Sequence, residues 1–169
     1  MSQTVREHRA SSPEGVRCTV ITVSDTRTEA TDTGGQLLHD LLVAAGYEIA
    51  RRQIIRDDPL TMRPLLEALR DDAQVDAVLL TGGTGLSSRD QTFETVSALV
   101  TKPLSGYGEL FRMLSYQEIG AAAMLSRAVG GLMGRTVVLT MPGSPAAVRL
   151  AVERLIAPEL RHLVREARR

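Results

Sequence analysis

The chain carries one cysteine, one lysine and no tryptophan among its 169 residues, and aromatic residues make up only 3% of it. Cys18 sits inside an apolar run. A disulfide framework and a Cys/His zinc site are therefore both excluded, which fits a reducing, cytoplasmic compartment. Net charge is missing too, because twenty basic residues balance twenty acidic ones. No global field draws the chain to nucleic acid or to an anionic membrane, so any polyanion must be met locally. No apolar stretch approaches the ~18 residues of a membrane span, and Arg6, Glu7, His8 and Arg9 stand where a signal peptide would need one. The three histidines, His8, His39 and His162, fall in an N-terminal arm, on a predicted helix and near the C-terminus. Neither a histidine-based triad nor a cysteine nucleophile is expected at a loop edge.

What is present is an ordinary globular composition, 43% hydrophobic and 24% charged. A chain of this size can bury roughly 69% of its surface on folding, enough for one domain with a full core. Residues 1–15 lack periodicity and hold Ser11-Ser12-Pro13, so they read as a flexible arm ahead of a domain over 16–169. Val16 to Val23 is short and β-branched, as a buried strand is. Asp32-Thr33-Gly34 opens a helix carrying Leu37, Leu38, Leu41 and Leu42, which Gly46 ends. A strand over Ile49 to Ile55, a helix entered at Pro59, a strand over Val75 to Leu80 and a helix through Phe93, Val96 and Leu99 repeat the alternation. Strand, loop and helix recurring at crossover spacing predict an α/β fold: a three-layer, doubly wound domain with a mostly parallel sheet.

From Pro103 the pattern changes. Leu104 to Glu109 reads as a glycine-hinged loop, followed by one or two short helices through Leu110, Phe111, Leu114 and Ile119. Ser126 to Gly130 and Thr136 to Thr140 read as two strands joined around Gly131 to Gly134. A last amphipathic helix through Val148, Leu150, Val152 and Ile156 is expected to break at Pro158 before a final turn.

Ligands of such sheets bind outside the carboxyl ends of the strands. Four loops fall there: Ser24-Asp25, Arg56-Asp57-Asp58, Thr81 to Asp90, and Pro142-Gly143-Ser144. In the third, Thr81, Gly82, Gly83, Thr84 and Gly85 offer bare backbone N–H groups ahead of a helix, as a phosphate cradle does. A purely structural turn reads equally well, and neither the Walker A ending nor GxGxxG is present. Asp57 and Asp90 share that edge and could hold Mg²⁺ beside substrate phosphates. Aspartate is also a usual helix cap, so spacing leaves both roles open. Glu109 suits a helix start, and Ser126-Arg127 offers either a hydroxyl and a fork for a phosphate or a surface ion pair. Chemistry based on metal, dipoles and positioning fits the residues that remain.

Taken together, Thr19-Val-Ile-Thr-Val-Ser-Asp25, Thr81-Gly-Gly-Thr-Gly85, Arg89-Asp90, Gly106-Tyr-Gly-Glu109, Phe111-Arg-Met-Leu-Ser115, Ser126-Arg-Ala128 and Met141-Pro-Gly-Ser144 resemble the molybdopterin adenylyltransferase family, MoaB/MogA. The likeness runs from about Val16 to Pro158 and is strongest to the MoaB branch; the gephyrin G domain shares the fold. It implies Mg²⁺-dependent transfer of AMP from ATP to the terminal phosphate of molybdopterin, with release of pyrophosphate. On the same likeness Asp57 and Asp90 organise Mg²⁺ and nucleotide, and Thr81 to Gly85 cradle phosphate and pterin. Ser24, Asp25, Pro142, Gly143 and Ser144 line the pocket, with Glu109 and Ser126 at its border. It further implies a homotrimer or hexamer and a molybdate-inserting enzyme as a possible partner. Arg56 and Ser105 depart from the family's frequent prolines. A molybdopterin carrier without turnover is the alternative that the MoaB branch leaves open, and a nucleotide hydrolase of the competence-damage family is a more distant one.

Overall fold

The computed structural model describes residues 15–169, so the expected arm lies outside the described residues except for Gly15. In chain order the elements are β1 (Arg17–Val23), α1 (Thr33–Ala44), β2 (Glu48–Ile55), α2 (Pro59–Asp71), β3 (Ala77–Thr81), α3 (Thr92–Leu99), β4 (Lys102–Pro103), α4 (Ser105–Ile119), β5 (Gly130–Met133), β6 (Thr136–Met141), α5 (Pro145–Ala151) and α6 (Ala157–Ala167). The six strands form one sheet in the order β2-β1-β3-β6-β5-β4. β2, β1, β3 and β6 run parallel, β5 is antiparallel to β6, and β4 is antiparallel to β5. The chain moves one way from β1 to β2 and the other way to β3, so the strand order reverses between β1 and β3. That is where an open sheet leaves a crevice.

The near-continuous apolar runs follow from burial on both faces. On one face Cys18, Val20, Leu79 and Leu139 pack with Leu38 and Leu42 of α1, Phe111 of α4 and Val148 of α5. On the other, Ile21, Val78, Leu80 and Val138 meet Met62 and Leu66 of α2 and Val96 of α3. Burial pushes the Cys18 thiol up to about 12, with a smaller push from Asp76, so it is an inert core group. Among the described residues no helix is long and apolar enough to cross a membrane.

Three expectations about local structure are corrected. Leu104 to Glu109 is not a loop, because α4 starts at Ser105 and runs unbroken to Ile119, followed by a tight turn over Gly120–Leu125. Gly108 serves close packing: a Cβ there would stand 2.6 Å from the Ala128 carbonyl oxygen, whereas Gly106 faces open space. Tyr107 is buried, and its hydroxyl donates to the Thr140 carbonyl at 2.9 Å. The strand expected over Ser126 to Gly130 begins only at Gly130, and the β5–β6 turn is tight, at Gly134. Of the residues before Gly130, Arg127 donates its N–H to the Thr84 carbonyl of the glycine loop at 3.1 Å, and Val129 bonds to Thr140 of β6. Pro158 does not break the last helix. A widened turn over Val152–Ile156 links α5 to α6, and the proline falls at the start of α6, where its missing donor is harmless.

One polar knot ties the crevice together. Asp32, the N-cap of α1, accepts from the Gly35 N–H at 2.9 Å, from Thr22 Oγ1 of β1 at 2.8 Å and from Arg52 Nη2 of β2 at 2.9 Å. Its side chain is 2% exposed. Burial alone would raise its pKa, but the Arg52 fork and the two hydrogen bonds together hold it below the usual carboxylate range. Arg52→Met should cost about 2 kcal/mol at pH 7, because it leaves that carboxylate short of a partner. A lowered folded pKa means that the pair's contribution is present above the ordinary value near pH 4 and is lost as pH falls through the folded one. The gap between the melting curves of wild type and variant should therefore close below about pH 4.

Candidate functional site

The loops after β1, β2, β3 and β6 do meet at one edge. Gly82, with φ of 100°, lies so close to β1 that a Cβ would stand 2.3 Å from the Val23 carbonyl oxygen. Its N–H donates to the Met141 carbonyl at 3.0 Å, and Thr81 Oγ1 donates to the Pro142 carbonyl at 3.1 Å. The glycine loop is thus stitched to the Pro142-Gly143-Ser144 turn. Ser144 caps α5 by accepting from the Ala147 N–H at 3.3 Å. Ser24 closes the turn after β1, its Oγ accepting from the N–H groups of Thr26 and Arg27 at 3.2 and 3.1 Å.

Two cavities open on this edge. One, of about 340 Å³, is lined by Gly83, Thr84, Gly85, Asp90 and Ser126 and walled by Phe111, Ser115, Ile119 and Ala123. The other, of about 360 Å³, lies over the β1/β3 reversal and is lined by Ser24, Arg27, Asp32, Gly34, Thr81 and Gly82. Gly143 and Ser144 border both cavities.

Neither aspartate caps a helix: Asp90 lines the first cavity, and Asp57 lies behind Gly83, outside the lining of both. Asp58 is the cap of α2, accepting from the Leu60 N–H at 3.1 Å and Thr61 Oγ1 at 2.8 Å. Gln91 occupies the cap position of α3 without a side-chain capping bond. That leaves both carboxylates to the edge itself. Asp57 Oδ1 accepts from the Gln91 N–H at 3.0 Å, and a Cβ at Gly83 would stand 2.6 Å from Asp57 Oδ2. Asp90 Oδ2 accepts from the Ser87 N–H at 2.9 Å and lies against Gly85. Asp25 Oδ1 accepts from the Asp57 N–H at 3.3 Å. Burial raises the pKa of Asp57; the Gln91 N–H opposes this, and the charges of Asp90, Asp25 and Glu94 add to it. Beside Gly83, Thr92 Oγ1 is buried without a hydrogen-bond partner.

Glu109 is not at a helix start. It lies in the second turn of α4, exposed and outside the lining of both cavities. The Arg127 guanidinium is occupied within the protein, paired with Glu94 and bonded to the Gly85 and Asp90 carbonyls. It is a clamp on the loop and has no fork left for a phosphate. The sequence reading put Phe111 and Ile119 on a helix but not at the site; that Phe111, Ser115 and Ile119 wall the first cavity depends on how α4 packs against the edge.

A family model described as "Probable molybdopterin binding domain" matches residues 19–162. Molybdenum cofactor biosynthesis protein B of Bacillus cereus is 52% identical over 166 residues, which is 98% of each chain. A solved structure of a molybdenum cofactor biosynthesis protein B superposes with a TM-score of 0.89 at 52% identity, over 94% of this chain and 99% of that one. The tungsten cofactor synthesizing protein MoaB of Pyrococcus furiosus superposes with a TM-score of 0.80 at 36% identity, over 93% and 99%. With the site at the sheet edge, the two cavities and these likenesses in place, the chain belongs to the MoaB/MogA family of molybdenum cofactor biosynthesis proteins.

Proposed function

We propose that this protein transfers AMP from ATP to the terminal phosphate of molybdopterin, with Mg²⁺, yielding adenylyl-molybdopterin and pyrophosphate. The observation that carries this reading is the pair of adjoining cavities divided by Gly143 and Ser144, with the glycine loop running along both. A reaction that joins two phosphate-bearing molecules calls for such a bipartite edge. A phosphate oxygen of molybdopterin attacks the α-phosphorus, an anhydride bond forms, and the bond to the β-phosphate oxygen breaks. That nucleophile is already anionic, so no protein base is required. This agrees with His39 and His162 lying on α1 and α6, away from both cavities.

Mg²⁺ suits the residues present. Among the described residues no group of three acidic, histidine or cysteine side chains forms a ready metal cage. Mg²⁺ usually takes one or two carboxylates and completes its shell with water and substrate phosphates. Asp57 and Asp90 would hold it, and the unfavourable charge at Asp57 is what a divalent cation relieves. When bound, Mg²⁺ offsets the charge that develops on the triphosphate. The chain itself supplies position and donors: backbone N–H groups at Gly83 to Gly85, the clamped loop around Asp90, and a largely apolar wall that keeps water from the reacting phosphates.

The reading extends to assembly and setting. Leu110, Met113, Tyr116 and Ile119 recur every third residue of α4, each about half exposed or more. Such a stripe supports self-association, which we read as a homotrimer or a hexamer of paired trimers; the proposed setting is the cytoplasm, with the product handed to a molybdate-inserting enzyme.

Incubation with molybdopterin, Mg²⁺ and α-labelled ATP should give labelled molybdopterin, and Asp57→Ala or Asp90→Ala should each lower the rate by about 10²-fold or more. Molybdopterin binding without label transfer would make the protein a carrier. The pH dependence has a definite sign. Because the folded pKa of Asp57 is raised, its ionised form is a liability above that pKa, and the liability vanishes as pH falls to the ordinary value. Asp57→Asn should therefore melt higher than wild type at pH 7 and equal it in acid, while losing transfer. Met113→Glu combined with Tyr116→Glu should reduce the mass in light scattering to that of a single chain.

A further inference from the structure

Arg127 touches more of the Gly85 to Glu94 segment than any catalytic assignment requires. Its Nε donates to the Gly85 carbonyl at 2.8 Å and its Nη2 to the Asp90 carbonyl at 3.1 Å. Nη1 pairs with Glu94, the guanidinium lies 5.2 Å over the Phe93 ring, and the backbone N–H donates to the Thr84 carbonyl at 3.1 Å. One side chain thus grips both ends of the exposed stretch Leu86 to Arg89 and the first turn of α3. Within that grip the Asp90 carboxylate is braced against Gly85 and the Ser87 N–H, and the Gln91 N–H reaches Asp57.

We propose that Arg127 is a positioning residue that fixes the Asp90 carboxylate and the Gly83 to Gly85 backbone before any ligand binds. It works through the geometry of its fork, not through charge on a substrate. Apart from Arg127 the loop is held by short-range bonds, such as those from the Ser87 N–H to Asp90 and from Gln91 Nε2 to the Ser88 carbonyl, while Leu86, Ser87, Ser88 and Arg89 are exposed, with 66% of the Leu86 surface open. A planar guanidinium with donors on two sides can serve two carbonyls and a carboxylate at once; an ammonium in its place is a point charge on a flexible stem. Pre-set donors cost no reorganisation when charge develops, whereas a misplacement of about 1 Å costs about 10²-fold in rate. This inference rests on the nucleotide-transfer reading for its consequence in catalysis, but not for its structural content.

The test separates the two. Hydrogen exchange is measured on the substrate-free protein for wild type, Arg127→Lys and Arg127→Met, following peptides over residues 84–92 against those from β1 and β6. The amides of Ser87 and Asp90 are hydrogen-bonded within the segment, and those of Gln91 and Thr92 to Asp57 and to the Gly83 carbonyl. Both variants should exchange there about tenfold faster or more, with β1 and β6 unchanged. Unchanged exchange over 84–92 overturns the proposal, even if the wild type transfers no AMP. In the transfer assay kcat should fall about 10²-fold while KM for ATP stays within about threefold. Full rescue by Arg127→Lys would show that charge alone matters and would overturn it as well, as would loosened exchange with unaltered kcat. Should Arg127→Met fail to fold, Arg127→Gln, which keeps one donor, carries the same comparison. A wild type that shows no transfer, together with loosened variants, refutes the proposed function and leaves the positioning role intact.

Discussion

The carboxyl edge of the sheet depends on one steric allowance, the missing side chains at Gly82 and Gly83. β1, β2 and β3 end within contact of one another, and Gly82 passes over the Val23 carbonyl at a distance no Cβ could tolerate. Gly83 does the same against Asp57. A larger residue at either place would push β3's loop outward, separating Asp57 from the Gln91 N–H and the Pro142–Ser144 turn from Gly82. The positive φ at both positions adds a backbone reason to the steric one. The glycines are thus required by the turn itself, and under the proposed function the same missing side chains leave the backbone of Gly83 to Gly85 open to a ligand.

How much of this was legible in the sequence depended on whether a signal was local. β1, α1, α2 and β3 announce themselves through β-branched runs, leucine spacing, caps and Pro59, because each buries one or two faces in a simple period. The four loops were legible for the same reason, as the places where those periods stop. The first turn of α4 was not, although its continuation through Leu110, Phe111 and Leu114 was, since Gly106 and Gly108 look like hinge residues and the packing of Gly108 against Ala128 depends on a partner twenty residues on. The widened turn before Pro158 was equally hidden. The identity of the caps was a matter of one residue, Asp58 where Asp57 was an alternative, and only coordinates decide that. Arg127 was visible as a cation, but its partners, two carbonyls and Glu94, come from segments more than thirty residues earlier in the chain.

Charge at the site is arranged against stability. Asp57 is held in a partly desolvated place among Asp90, Asp25 and Glu94. Asp32 is its opposite, a buried carboxylate fully matched by Arg52, Thr22 and Gly35. The second secures the frame on which the first is exposed to strain. Such a division, with one carboxylate satisfied and one left in deficit at a neighbouring loop, is the pattern expected where a fold tolerates a local cost for the sake of a site.

The sheet ends differently on its two sides. β4 is only two residues long and one of them is Pro103, which has no N–H to offer. β2 is longer, but carries Glu48 and Arg51 exposed along it. Each is a recognised way of blunting a free edge. A second chain therefore finds too few backbone groups on one flank and a charged ribbon on the other. Growth by strand addition, the route to fibrils, is discouraged, and the surfaces left for orderly self-association are those of the helices.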